Sequence, residues 1–242
     1  MADRPTRFAI LSARRCGSNL LCSLLDSHPD VRCHHELFNP AGPFTALDLR
    51  DAPSPLHDRA ARDRDPLAFL QRVWASAPAH RCVGFKMTPD QAPDVLDAVL
   101  ADRGVRKLVL RRDNPLRALV SERIAESTGC WERYAGEPAP AARPRVRVTR
   151  EALQRHVAEV DAFYARVLAP LRADGQIWLE LRYETLFDAE AQRLLLAFLG
   201  VAPLPLRTRS VHQNPEPLSQ LLDDADALRR ALAGTALAGC LD

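Results

Sequence analysis

Apolar residues fall along this chain in two rhythms. Short, mostly apolar runs stand at residues 8–11, 82–87, 105–110 and 177–181, the lengths expected of strands covered on both faces. Each is followed by a stretch in which apolar residues recur every three or four positions: 18–25, 90–100, 115–127 and 189–199. In the first of these, Leu20, Leu21, Leu24 and Leu25 share a face. Pro115 suits a first helical turn, where its missing N–H costs nothing, and Gly200 suits a helix end. Strand followed by helix, repeated, predicts an α/β fold: three α/β/α layers around a central parallel sheet. Residues 39–66, rich in proline and mixed charge, and 136–144 (GEPAPAARP) follow neither rhythm and read as loops. No repeat or composition break divides the chain, so one domain over residues 1–242 is expected, with 203–242 as a lid or tail.

Composition narrows the function. A hydrophobic share of 47% and a charged share of 26% belong to a folded globular chain. A net charge of +2 argues against a nucleic-acid partner held by bulk electrostatics. Lys86 and Lys107 are the only lysines among 33 cations, a bias that suits bidentate phosphate contacts and equally a GC-rich genome. No stretch approaches the roughly 18 apolar residues of a membrane span, and the start, MADRPTRFAIL, has no apolar signal segment. The six cysteines form no CxxC pair. A cytoplasmic protein with free thiols and no membrane contact is the expectation.

The sharpest motif is LSARRCGSNLL, residues 11–21. A strand running through one glycine into a helix start aims successive backbone N–H groups at one point, where the helix dipole also favours an anion. Gly17 allows close approach, Ser18 and Asn19 are suited to capping the helix and donating hydrogen bonds, and Arg15 brings charge. GxxxxGK[ST] and GxGxxG are both missing, which removes the magnesium-holding P-loop and the dinucleotide fingerprint. A second anion clamp is written in LVLRRDNPLRALVS, residues 108–121: a strand delivers Arg111 and Arg112 to its end, and Ser121 lies two turns into the next helix.

Residues 15–21, RCGSNLL, resemble the R-[ST]-G-[ST]-[TN]-L-L loop of sulfotransferases that use 3'-phosphoadenosine 5'-phosphosulfate (PAPS). The longer stretch LSARRCGSNLLCSLLDSHPDVRCHHELFNP resembles the bacterial members related to the trehalose 2-sulfotransferase group. VGFKM, LRYETL and LLLAFLGV resemble later blocks of the family, in the same order, so the likeness covers most of residues 7–201. It implies the P-loop-like sulfotransferase fold, PAPS as donor with PAP as product, and a small-molecule hydroxyl acceptor. It also implies no metal, and a homodimer. Arg14, Arg15, Cys16, Gly17, Ser18, Asn19 and Leu20 then hold the 5'-phosphosulfate, with Cys16 standing where the family has Ser or Thr. Ser121 and Arg112, with Arg111 as the alternative, hold the 3'-phosphate; the spacing from Arg112 to Ser121 is nine where the family has about eight.

Sulfuryl transfer needs a base for the acceptor hydroxyl and cations at the departing oxygen. Glu36, in CHHELF, matches the glutamate proposed as base in the trehalose sulfotransferase group. Strand alternation would place His34 on its side as an orienting partner and leave His35 to packing or the rim. Four consecutive residues, Cys33 to Glu36, cannot converge on one metal ion. Arg15 serves as an electrostatic stabiliser, and Lys86, at a strand end, either neutralises the donor or acceptor or snorkels to solvent. Two other readings stay open: a small-molecule kinase of P-loop type, and a nucleotide-binding homologue without catalysis. The acceptor pocket is expected around Asn39 and around Trp131 and Tyr134, which stack on a ring or belong to the core. The likeness makes a sugar hydroxyl, or that of a glycosylated metabolite, the default acceptor and a phenol the alternative.

Overall fold

The computed structural model describes residues 5–138 and 144–241. In chain order its elements are β1 (Thr6–Ser12), α1 (Ser18–Asp26), β2 (Val31–Cys33), α2 (Arg59–Arg64), α3 (Pro66–Ala75), β3 (Cys82–Met87) and α4 (Pro93–Ala101). There follow β4 (Val105–Arg111), α5 (Pro115–Thr128), α6 (Arg150–Ala173), β5 (Trp178–Arg182), α7 (Ala189–Leu199), α8 (Leu218–Leu221) and α9 (Ala225–Leu232). The strands form one parallel sheet in the order β2-β3-β1-β4-β5.

β1, β3 and β4 are largely apolar and buried because both faces of the sheet are covered. Leu21, Leu24 and Leu25 of α1 and Leu195 and Leu199 of α7 pack on one face, against Phe8, Ile10, Leu108 and Leu110. α3, α4 and α6 cover the other, with Phe69, Val73, Val95, Val99, Phe163 and Val167 against Ala9, Phe85 and Val109. Each such buried side chain contributes roughly 1.5–3 kcal/mol. α5, α8 and α9 build a smaller third cluster around Leu116, Leu119, Leu228 and Leu232.

The chain leaves β1 for β2 on one side, and after β3 returns across β1 to reach β4 on the other. The carboxyl end of β1 is therefore the switch point of the sheet, where ligands of open α/β folds bind. Register sets three strand ends level there: Ile10 pairs with Lys86, and Ser12 with Leu110 just before Arg111 and Arg112.

Several expectations need correction. The 39–66 segment is not structureless: it holds two single 3-10 turns and α2, and Pro66 opens α3 behind the Asp65 cap. α4 starts at Pro93 rather than at residue 90, because Asp90 and Ala92 take positive φ values of 68° and 33°. Ile177 lies outside β5, 81% exposed. α3, α6 and the short β2 are further elements, absent from the sequence expectation. Of the proline-rich loop at 136–144, residues 139–143 lie outside the described residues.

Candidate active site

The loop between β1 and α1 is built on two unusual backbone positions. Arg15 has φ 58° and Gly17 φ 87°, and a Cβ on Gly17 would come within 2.2 Å of the Tyr183 ring. Gly17, not a side chain, occupies the N-cap of α1, so the expected capping by Ser18 and Asn19 is absent. Ser18 Oγ and Asn19 Oδ1 instead accept hydrogen bonds from Lys86 Nζ, the first at 3.4 Å. Tyr164 of α6 braces the loop from behind: its hydroxyl accepts from Ala13 N at 3.1 Å and donates to the Leu110 carbonyl, tying β1 to β4.

A cavity of about 1000 Å³ opens over this loop. Its walls include Arg14, Arg15, Gly17, Ser18, Asn19 and Leu20 from the β1–α1 connection, Arg112, Arg117 and Ser121 from the end of β4 and from α5, and His35, Glu36 and Lys86 beside the loop. Arg15 Nε donates to Ser121 Oγ at 3.1 Å, and its terminal nitrogens reach the Trp131 carbonyl and Gln213 Oε1. Asn214 also donates to Ser121, at 3.3 Å, so the segment after residue 209 closes one side of the cavity. Arg112 lies over the Tyr183 ring at 4.5 Å and donates to the Arg15 carbonyl at 3.1 Å. Its Nε is buried and, among the described residues, has no hydrogen-bond partner. Burial pushes the pKa of both arginines down.

Beside this loop Glu36 Oε1 pairs with Lys86 Nζ at 2.7 Å. Its Oε2 accepts from Asn39 Nδ2 at 2.6 Å and Gln91 Nε2 at 2.7 Å. Burial alone would raise this carboxyl, but the Lys86 charge and the three hydrogen bonds outweigh it and hold the pKa at about 2. Gln91 stands between the two left-handed residues Asp90 and Ala92, a strained turn that sets its amide against Glu36.

The histidines are reversed from expectation. β2 ends at Cys33, so strand alternation does not carry on to residues 34–36. His34 is fully buried on the far side, where it bonds Ser76 Oγ at 3.2 Å and accepts from Ala46 N at 3.2 Å, and burial drops its pKa to about 3. It has no place beside Glu36. His35 is the one that lines the cavity, with Nδ1 3.2 Å from Asn19 Oδ1. Lys86 has only donors, which fixes the Asn19 oxygen between it and His35, so His35 carries its proton on Nδ1.

Two more expected ligands turn away from the cavity. Arg111 stacks on Tyr164 at 4.0 Å and pairs with Glu180 at 3.0 Å. The Cys16 thiol is buried beside the Tyr164 hydroxyl, 3.8 Å away. Trp131 lines the cavity and is 45% exposed, whereas Tyr134 is buried edge-on to His35 and donates to Glu132 at 2.9 Å. Gln91 and Tyr164 escaped the sequence reading, and Tyr183, Gln213 and Asn214 carried no role in it, since only the folded chain brings them to the loop. Among the described residues no cluster of three or more His, Cys, Asp or Glu has metal-binding geometry, and no helix is long and apolar enough to cross a membrane.

No protein-family model matches the chain. Over 238 residues it is 27% identical to nodulation protein H of Rhizobium tropici, covering 95% of this chain and 90% of that one. Nodulation protein H of Rhizobium meliloti is also 27% identical over 238 residues, with coverages of 93% and 90%. Among solved structures, the sulfotransferase from Alicyclobacillus acidocaldarius aligns over 95% of this chain and 90% of its own, with a TM-score of 0.51 at 18% identity. The chain thus shares the α/β fold of that sulfotransferase, with the five-stranded parallel sheet at its centre.

Proposed function

We propose that this chain is a sulfotransferase that moves a sulfuryl group from PAPS to a hydroxyl of a small molecule, a carbohydrate or glycosylated metabolite. The observation that carries this reading is one cavity joining two cationic clusters, at the β1–α1 loop and at the end of β4, to a carboxylate–lysine pair. The shared fold supports it, as do the loop and clamp motifs.

The residues present fit such a donor. α1 begins without a side-chain cap, leaving its first amides for an anion, and Arg112 keeps a buried donor without a partner among the described residues. The donor supplies the activated sulfuryl group; binding, orientation and proton movement fall to the chain. The amides from Gly17 to Leu20, with Ser18, Asn19, Arg14 and Arg15, would hold the 5'-phosphosulfate. Arg112 and Ser121 would read the 3'-phosphate. Arg15 and Lys86 would meet the charge that builds on the departing oxygen, so the reading requires no metal. Glu36 would take the acceptor proton, with Asn39 and Gln91 fixing its orientation.

Transfer of radiolabelled sulfate from PAPS to a panel of oligosaccharides and phenols tests this. Label on a carbohydrate hydroxyl is expected, falling ~10²–10⁴-fold in Glu36→Gln. Label on phenols alone would keep the transferase and remove the carbohydrate; transfer of the ATP γ-phosphate with magnesium would replace the reading by a kinase.

A further inference from the structure

The Lys86 ammonium has three N–H donors and three acceptors around it: Ser18 Oγ at 3.4 Å, Asn19 Oδ1, and Glu36 Oε1 at 2.7 Å. Two of these belong to the first turn of α1, where the donor anion would sit, and the third is the proposed base. The side chain is 4% exposed, so little solvent screens either attraction. One cation is thus held in common by two anion sites.

We propose that Lys86, besides facing the donor, couples donor to base: phosphosulfate arriving at the start of α1 draws the ammonium off Glu36 and so releases Oε1 to accept the proton of the acceptor. This rests on the reading that the cavity takes PAPS. A carboxylate bound to an ammonium is a poor base, and the very low pKa of Glu36 reflects that pairing. Asn39 and Gln91 both bind Oε2, so they would keep the carboxylate aimed while Oε1 loses its partner. The other titratable groups nearby include Arg15, which Glu36 attracts, the buried Cys33 thiol, His35 and, behind it, Glu132. Burial first and Lys86 second hold His35 well below the ordinary imidazole range, so it stays neutral and does not substitute for the ammonium. The base is then masked until the donor is in place.

The chain has two lysines, so selective lysine labelling with ¹³C and ¹⁵N gives two ammonium signals. Lys107 is the internal control, buried away from the cavity between the Asp102 carbonyl and Gln176 Oε1, each 2.6 Å distant. Calorimetry first establishes whether PAP binds. The Lys86 signal is then recorded for the wild type and Glu36→Gln, each with and without saturating PAP. The proposal predicts a large effect of the substitution in the free protein that shrinks at least about fourfold with PAP, while Lys107 stays put. An undiminished effect in the PAP complex overturns the coupling and leaves the nucleotide reading standing; no PAP binding removes both. Adenosine 3'-monophosphate gives a check that needs no variant. Lacking a 5'-phosphate, it should leave the Lys86 signal where it is in the free wild type, and a shift equal to that caused by PAP would overturn the proposal.

Discussion

Glu36 sits under opposing forces whose balance sets a measurable pH dependence. Burial would raise its pKa, but the Lys86 charge and the hydrogen bonds from Lys86, Asn39 and Gln91 win, taking it from an ordinary 4.5 to about 2. A carboxyl depressed on folding adds stability that is fully present above its unfolded pKa and is lost as pH falls through the folded one. The window is therefore about pH 4.5 down to 2, and the contribution about 3 kcal/mol. Urea titrations at pH 6 and pH 3 should show the wild type losing more stability than Glu36→Gln across that interval; parallel losses would mean that the pair is not formed in solution. At the same scale, the sequence named Glu36, Lys86, Arg15, Arg112 and Ser121, because each belongs to a local motif. His34 was misjudged for a local reason as well: alternation holds only while the strand lasts, and β2 stops at Cys33.

Elements reach the site through braces as well as through ligands. Tyr164 projects from α6 to hold Ala13 and Leu110, so one hydroxyl sets the loop against the end of β4. Tyr164→Phe would leave a buried amide and a buried carbonyl short of a partner, at a cost of about 1–3 kcal/mol. Chemical denaturation should show that loss together with weaker PAP binding; unchanged values for both would make the brace incidental. β1, β3, β4 and α7 were legible because doubly covered strands are short, mostly apolar runs and α7 ends on a glycine with φ 69°. α6 was not read, although Leu153, His156, Val160, Phe163, Tyr164, Val167 and Leu171 recur at threes and fours behind the Thr149 cap. Its exposed face is strongly charged and Pro170 lies near its end, which dilutes the pattern over 24 residues.

Across the whole molecule, the terminal segment has two duties. Residues near Gln213 and Asn214 border the cavity; α8 lines it as well, through Leu218 and Leu221, and with α9 seals the third apolar cluster against α5. The expectation of a lid or tail over 203–242 covers the wall but not the seal, which depends on partners about a hundred residues earlier, Leu116 among them. Leu232 is fully buried, so Leu232→Ala should cost roughly 2–5 kcal/mol in a denaturant titration. A loss near zero would make α9 a dispensable appendage.

The switch point at the end of β1 gathers both proposed phosphate sites, and the central claim is that they read one nucleotide carrying both a 5'- and a 3'-phosphate. Calorimetric titration of the protein with PAP and, separately, ADP, in the absence of magnesium, tests that most directly. The account predicts PAP binding at least about tenfold tighter than ADP, a difference of about 1.4 kcal/mol, with the preference abolished in Arg112→Ala. Equal affinities, or nucleotide binding seen only as ATP with magnesium, would contradict it.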